Sequence, residues 1–494
     1  MPLDQLPVDA LADAALQRAT ELGARHADVR IESSRSLHRR LRDGRTESAT
    51  NSVTAGIGVR VIVDGAWGFA ADSSLDTGAA ARVAERAVAI ARASAPLSVP
   101  VELAAEPAHP DGRWRSAFRL DPLDVSDDLI TDRLVELSGA LLGGRGVDHA
   151  DASLLAVSEE KFYADLAGTR TRQHRVRTVP SFTATTIGDH GFATMRTLAP
   201  PAGRGWEYLL GDGWDFDAEI AELPELLAEH AVAPSVEPGR YDLVIDPTNL
   251  WLTIHESVAH ATELDRALGY EAAYAGTSFA TPDQLGTLRY GSPVMNVTGD
   301  RTTEHGLASV GWDDEGVAAT EFDIIRDGTL VGYQLNRQMA PLLGLPRSNG
   351  CAYADSPGHI PLQRMPNVSL QPAADGPDTA GLIAGVSDGI YVVGDNSWSI
   401  DMQRYNFQFT GQRFFRIRNG RLAGQLRDVA YQATTTEFWR SLEAVGGPQT
   451  WLLAGAANCG KGQPGQVAPV SHGSPSALFR GVNVLNTVTE GGAA

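Results

Sequence analysis

The stretch Gly58-Val59-Arg60-Val61-Ile62-Val63-Asp64-Gly65-Ala66-Trp67-Gly68-Phe69-Ala70 decides how this chain is read. β-Branched and aromatic residues flank Asp64-Gly65, a dipeptide suited to a two-residue hairpin turn because both its central residues sit at positive φ. Working outward, Ser52–Val63 and Trp67–Ala71 become paired strands. Ala27–Ser34 and Ser36–Arg42 alternate in the same way, with Asp43-Gly44 as the preceding turn, so the region reads as an antiparallel meander. Val8–Leu22 is an amphipathic helix with Leu11, Ala15, Ala19 and Leu22 on one face, and Ala79–Ala93 is a second helix. A third helix at Asp127–Leu142 is followed by renewed alternation over 147–198, with turn signals at Gly168-Thr169 and Gly188-Asp189. Two helix-then-meander passes, 8–71 and 127–198, point to a duplication.

Ala218–Glu229 reads as a helix that Pro224 can break. The Pro- and Gly-marked segment Ala233–Gly239 is the natural linker, predicting an N-terminal α+β domain over 1–233 and a C-terminal β-rich domain over 240–494. In the second part, Tyr241–Ile245 is a strand and Asp246-Pro247-Thr248 starts a helix. Thr320–Arg326 and Leu330–Leu335 form a hairpin at Asp327-Gly328. Further strands are expected at Gly389–Val393, Tyr405–Ile417 and Leu422–Val429, then a short helix at Thr435–Glu443. The fold class is therefore α+β. N-terminal helices lie on antiparallel meander strands, and a mostly antiparallel C-terminal sheet or barrel carries one functional helix.

That helix holds His255-Glu256-Ser257-Val258-Ala259-His260. Two neutral imidazoles can hold a divalent metal, and an adjacent carboxylate can take a proton from water beside it. In the familiar zinc-peptidase motif the histidines are four apart. Here they are five apart, about 140° around a regular α-helix. Either the pairing is coincidental, or an extra residue forms a π-bulge that returns both rings to one side. Glu263 and Asp265 follow, either orienting the histidines or forming a solvated helix end.

A catalytic zinc site needs three protein ligands and an open position. The chain has two cysteines, Cys351 and Cys459. Cys459 sits in the Gly-rich run Ala457–Gln463, read as a loop in which Lys461 would favour thiolate; its bland alternative is a small buried hydrophobe. For Cys351 the bland reading is preferred. Lys461 is one of just two lysines, with Lys161, in a chain that otherwise takes its positive charge from arginine, which suggests for it a role that arginine cannot fill.

Taken together, His255, Glu256, His260, Glu263 and Asp265 (H-E-x-x-x-H-x-x-E-x-D) and Asn458–Gln463 (N-C-G-K-G-Q) resemble the TldD/PmbA family, historically called modulators of DNA gyrase. The 58–70 hairpin, Asp313-Asp314-Glu315-Gly316 and Arg364-Met365-Pro366-Asn367 are similar to its other signatures, in family order. The resemblance implies a TldD-type metallopeptidase, with His255, His260 and Cys459 as metal ligands, Glu256 as catalytic base, and Glu263, Asp265 and Lys461 behind them. Zinc suits mixed nitrogen and sulfur ligation, with ferrous iron the alternative. The implied substrate is unfolded or extended peptide. The implied assembly is a heterodimer with a metal-free PmbA-type subunit, or else a homodimer.

Bulk properties bound the alternatives. Hydrophobic content of 43% and charged content of 21% over 494 residues suit a soluble multidomain protein. Two cysteines fit a reducing compartment, and Met1–Pro7 lacks the features of a signal peptide, so a cytoplasmic location without membrane attachment is expected. The net charge of −20 argues against nucleic-acid binding. The arginine runs at 35–45 and 170–177 read as solvent-facing strand positions. No G-x-S-x-G nucleophile elbow and no phosphate loop occur. Asp313–Gly316 reads as a turn or substrate-facing loop, Arg364 as a carboxylate anchor or salt bridge, and His359 and His472 as exposed. The competing function is a non-catalytic regulatory or binding subunit with a structural metal, in which His359 or His472 would supply a fourth ligand.

Overall fold

The computed structural model describes residues 3–188 and 191–489; Asp189, half of the turn expected at Gly188-Asp189, lies outside the described residues. The 58–70 stretch folds as read. Val63 pairs with Ala66 across Asp64-Gly65, whose φ values of 51° and 81° are those of a tight hairpin. It belongs to a sheet built from β1 (His26–Arg42), β2 (Arg45–Val63), β3 (Ala66–Asp72), β4 (Gly112–Arg115), β5 (His149–Asp165), β6 (Arg170–Gly188) and β7 (Gly191–Arg196). The strand order is β3-β2-β1-β5-β6; β4 runs parallel to one end of β6 and β7 antiparallel to the other.

Two expectations are corrected here. Ala27–Ser34 and Ser36–Arg42 are one strand, because Arg35 pairs with Val53 on one side and Ser158 on the other. β2 begins at Arg45 rather than Ser52. The duplication has a structural counterpart: strands of 17, 19 and 7 residues (β1–β3) are echoed by strands of 17, 19 and 6 (β5–β7).

Helices α1 (Val8–Glu21) and α2 (Thr77–Ser94) pack on one end of this sheet, burying Leu11, Ala15, Val83 and Ala87 against Val29, Val59 and Val61. Helices α3 (Asp127–Leu142) and α4 (Phe216–Val232) cover the other end, with Leu134, Leu137 and Leu223 against Leu41, Leu154 and Phe182. Each large aliphatic side chain buried this way contributes about 1.5–3 kcal/mol. The Asp76 carboxylate caps α2 by accepting from the Ala79 amide at 2.8 Å. Gly68 is required by packing, since a Cβ there would lie 1.9 Å from the Ala87 carbonyl oxygen of α2. Helix α4 continues through Pro224 rather than breaking there.

In the second half, β8 (Gly239–Ile245) joins four other strands that close on themselves. Asp388–Ile400 pairs with β8, β8 with Ala477–Asn486, that strand with Val429–Thr434, and Val429–Thr434 with Asn406–Arg418, which returns to Asp388–Ile400. The result is a small barrel, antiparallel except at Asp388–Ile400 beside β8. The strand expected over Leu422–Val429 is two, Arg421–Leu426 and Val429–Thr434, separated where Asp428 takes φ 62°. The hairpin partner expected over Leu330–Leu335 is only Thr329–Leu330, because the Val331 and Gly332 amides both turn onto the Ile324 carbonyl. The expected 435–443 helix stops at Arg440 and passes into a strand at Leu442–Val445. No helix among the described residues is long and apolar enough to cross a membrane.

Candidate metal centre

The centre starts from helix α5 (Pro247–Ile254), which the Asp246 carboxylate caps by accepting from the Thr248 amide at 3.0 Å. Its next turn, His255–Ala259, is a π-helix in which the His260 amide donates to the His255 carbonyl. That extra residue resolves the five-residue spacing. The two rings, which a regular helix would splay, stand 4.7 Å apart between centroids at 72°. A widened turn misaligns backbone carbonyls, and side chains take them up. Ser257 Oγ donates to the Thr253 carbonyl at 2.5 Å, Gln334 Nε2 to Ala259 at 2.5 Å, and the Tyr290 hydroxyl to Ser257.

Cys459 arrives from the far end of the sequence. It lies on a strand, Leu452–Lys461, paired with Gln466–Ser474, which corrects the loop expected there. The register shifts between Ala456 and Cys459, so that Ala457 and Asn458 stand opposite Pro469. A bulge of this kind re-aims the side chain that follows it. The Cys459 Sγ sits 3.7 Å from His260 Nε2, and donor atoms of His255, His260 and Cys459 all lie within 4.8 Å of one another. All three residues are buried. Burial opposes ionisation of the Cys459 thiol, yet the His255 charge and hydrogen bond, with Arg364 behind them, hold it below the usual thiol range. Burial likewise disfavours protonated His255, and the facing sulfur overrides it and raises the imidazole.

Around the triad the expected supports divide. Glu263 does orient a histidine: its Oε2 lies 2.8 Å from His260 Nδ1. A carboxylate there accepts, so Nδ1 carries the proton and Nε2 presents its lone pair toward Cys459. Asp265 has no hydrogen bond to either ring among the described residues; its oxygen lies 2.8 Å from Lys461 Nζ. Lys461 does not serve the thiolate as expected. Its ammonium faces Glu263 at 3.0 Å, Asp265 at 2.8 Å and Glu271 at 2.9 Å. Although burial pushes the Glu263 carboxyl up, Lys461 and His260 hold it well below the usual range. Burial beside Glu263 and Glu271 leaves Asp265 raised to about 6 despite Lys461.

His472, expected to be exposed, is wholly buried, with its Nε2 2.7 Å from His255 Nδ1 and its Nδ1 2.9 Å from the Val368 carbonyl. Arg404 was not singled out from sequence either. Its guanidinium donates to Glu256 Oε2 at 2.5 Å, and it is presented by a tight loop in which the Asp401 carboxylate accepts from the amides of Gln403, Tyr405 and Asn406. A lone histidine among small residues and an arginine in an irregular loop carry no local pattern, so only the fold reveals them. Among the described residues Arg364 forms no carboxylate pair; it donates to the Cys459 and Gln466 carbonyls. His359 bonds Asp355 at 2.6 Å. Asp313, Asp314 and Glu315 form a buried turn rather than a substrate-facing loop, with Asp314 on Lys161 at 2.8 Å and Glu315 on Arg60 at 2.9 Å. Three arginines expected to face solvent, Arg39, Arg175 and Arg177, are buried instead; Arg39 pairs with Asp127 and the other two with Glu159.

A cavity of about 740 Å³ opens beside the centre. Trp251, Leu252 and Asn458 line one wall, and Ser36, Val157 and Val179 of the long-stranded sheet line the other. Trp251 is also in ring contact with His255, at 6.3 Å.

Comparison with known proteins points to one family of metallopeptidases. Residues 238–486 match the PmbA/TldA metallopeptidase C-terminal domain, and residues 27–91 match domain 1 of the same metallopeptidases. A metalloprotease of Methanothermobacter thermautotrophicus is 26% identical over 470 residues, covering 94% of this chain and 96% of that protein. A zinc metalloprotease TldD homolog of Saccharolobus solfataricus is 25% identical over 274 residues, 55% of this chain and 58% of that one. TldE from Thermococcus kodakarensis shares the fold, with a TM-score of 0.74 at 14% identity, over 96% of this chain and 99% of that chain. With the family's domain 1 and its C-terminal domain matched in chain order, the latter over half of the sequence, the chain belongs to the TldD/PmbA family of metallopeptidases.

Proposed function

We propose that this chain is the catalytic, TldD-type subunit of a zinc-dependent peptidase that cleaves unfolded or extended peptides. The observation that carries the reading is the convergence of His255, His260 and Cys459 donor atoms within 4.8 Å, with Glu256 beside the first. The donor set fits zinc: two imidazoles and one sulfur whose thiolate the surroundings favour. When bound there, zinc supplies Lewis-acid chemistry that acidifies water and polarises a carbonyl. Ferrous iron is the alternative occupant, distinguished by elemental analysis.

The chain's own residues do the proton work. Arg404 holds Glu256 Oε2, leaving Oε1 without a hydrogen-bond partner among the described residues. Oε1 accepts a proton as water attacks the peptide carbonyl, then gives it to the departing amine. As Glu256 becomes neutral, the Arg404 charge is freed to face the new oxyanion. The cavity between the two sheets is the natural berth for an extended chain.

A regulatory subunit with a structural metal would need a fourth ligand. Both His472 nitrogens are engaged and His359 is held by Asp355, which supports an open position instead. On this reading residues 1–233 and 240–494 are the two units, the location is cytoplasmic, and the partner is a metal-free PmbA-type subunit; the shared fold with TldE supports such a pairing, with a second copy as the alternative. Glu256→Gln tests the mechanism. Cleavage of an unstructured peptide falls about 10²–10⁴-fold while metal stays bound. Retained turnover sinks the assignment.

A further inference from the structure

We propose that His472 is a positioning residue that fixes His255 in the tautomer able to bind metal through Nε2. The inference rests on the reading of His255 as a ligand. His472 Nδ1 lies 2.9 Å from the Val368 carbonyl oxygen, which has no proton to give. Nδ1 therefore carries the hydrogen, and in a neutral ring Nε2 is left with a lone pair. That lone pair faces His255 Nδ1 at 2.7 Å, so His255 must donate from Nδ1. The tautomer is transmitted from one backbone carbonyl through two rings. In a neutral His255 it leaves the Nε2 lone pair for the space shared with His260 and Cys459.

The anchoring is rigid at each step. His472 is fully buried, and its ring is stacked on Trp251 at 11° with centroids 6.3 Å apart. Val368 lies on the strand Asn367–Leu370, which pairs with Val297–Asp300.

The two histidines are thus oriented by different chemistry. His260 rests on the Glu263 carboxylate, His255 on a neutral imidazole. A carboxylate in place of His472 would add another buried anion to a centre that already holds Cys459, Glu256 and Glu263. A neutral acceptor orients the ring without that cost.

The test uses the full chain and zinc affinity measured by competition with a chromophoric chelator. His472→Phe, which cannot accept from His255, weakens zinc binding 10–100-fold, the range for loss of such supports. His472→Gln places an amide oxygen near the position of Nε2 and brings affinity back to within about threefold of the parent chain, by the same comparison. His472→Asn, equally polar but too short to reach His255, stays weak and guards against a Phe variant that fails to fold. Parent-like affinity in Phe and Asn, or equal weakness in Gln and Asn, overturns the proposal. His255→Ala run alongside loses zinc; if it keeps the metal, the ligand reading itself fails and takes the inference with it.

Discussion

The chain spends its only two lysines and its only two cysteines on two buried centres, one of each at either place. Lys461 and Cys459 share one strand, with Cys459 facing His260 and Lys461 the carboxylates behind it. Lys161 lies where the long-stranded sheet meets the 313–354 segment; its Nζ is 2.8 Å from Asp314 and 2.7 Å from the Ala354 carbonyl. Cys351 lies within the same segment, next to Ala352, whose amide donates to Asp313. Both ammonium groups sit among carboxylates, and in both the charge is held on by its neighbours against burial. The cysteines part ways. Burial pushes the Cys351 thiol up to about 12, with Asp313 adding to it, whereas His255 and Arg364 bring Cys459 down. Similar materials make a structural junction in one place and, in the function proposed, a reactive centre in the other. What differs is whether the sulfur faces imidazoles or, as at Cys351, the Asn349 backbone carbonyl.

Why lysine at these points is visible in the Lys461 geometry. Three carboxylates gather within 2.8–3.0 Å of one nitrogen, a compact charge that an ammonium presents and a planar guanidinium spreads over its fork. One of those carboxylates, Glu263, also holds His260. Lys461 is therefore one bond removed from the metal centre, whereas Lys161 is tied to Asp314 and Tyr353 instead.

The contrast can be broken most sharply at the cysteines. Cys459→Ala is expected to lower zinc content from one per chain to near zero, while Cys351→Ala leaves it unchanged, read by elemental analysis of purified protein. If the two variants behave alike, the division between the centres is wrong. The lysines give the next largest effect. Lys461→Met and Lys161→Met each strand buried carboxylates and should cost about 3–5 kcal/mol in urea unfolding. Zinc affinity in the folded protein should fall 10–100-fold only for Lys461→Met. An equal loss for Lys161→Met would merge the centres into one network.

The smallest effect concerns pH at the junction. Burial, with Glu315 alongside, pushes the Asp313 carboxyl up to about 7. Between about 4 and about 7 the folded chain thus holds a proton that the unfolded chain has released, so this group makes stability fall as pH rises through that window. Its share is at most about 1.4 kcal/mol per pH unit. Asp313→Ala should flatten the decline of the urea midpoint between pH 4.5 and 7.5; an unchanged slope would remove Asp313 as its source.

Local pattern was enough for much of this. The hairpin at Asp64-Gly65, the helices near 8–22, 79–93 and 127–142, and the cluster of His255, Glu256 and His260 are written in short-range signals: turn dipeptides, apolar periodicity, adjacent ligand types. Even the π-turn was foreshadowed, because a five-residue spacing fits no regular helix. Strand ends were less legible. A long strand such as β2 has an outer half that is mostly exposed and polar, and its pairing with β1 rather than its own propensity holds it extended.

Only the tertiary structure could bring Cys459 to within 3.7 Å of His260, set His472 against His255, and place Arg404 on Glu256. These partners lie 148–217 residues apart in the chain. Sequence alone determined which chemistries the chain can offer, because ligand type and local periodicity are properties of neighbouring residues. Which of those groups meet, in which tautomer, and which sulfur becomes reactive were decided by packing. Burial and the charges gathered around each group set its protonation, and both exist only once distant segments have closed on one another.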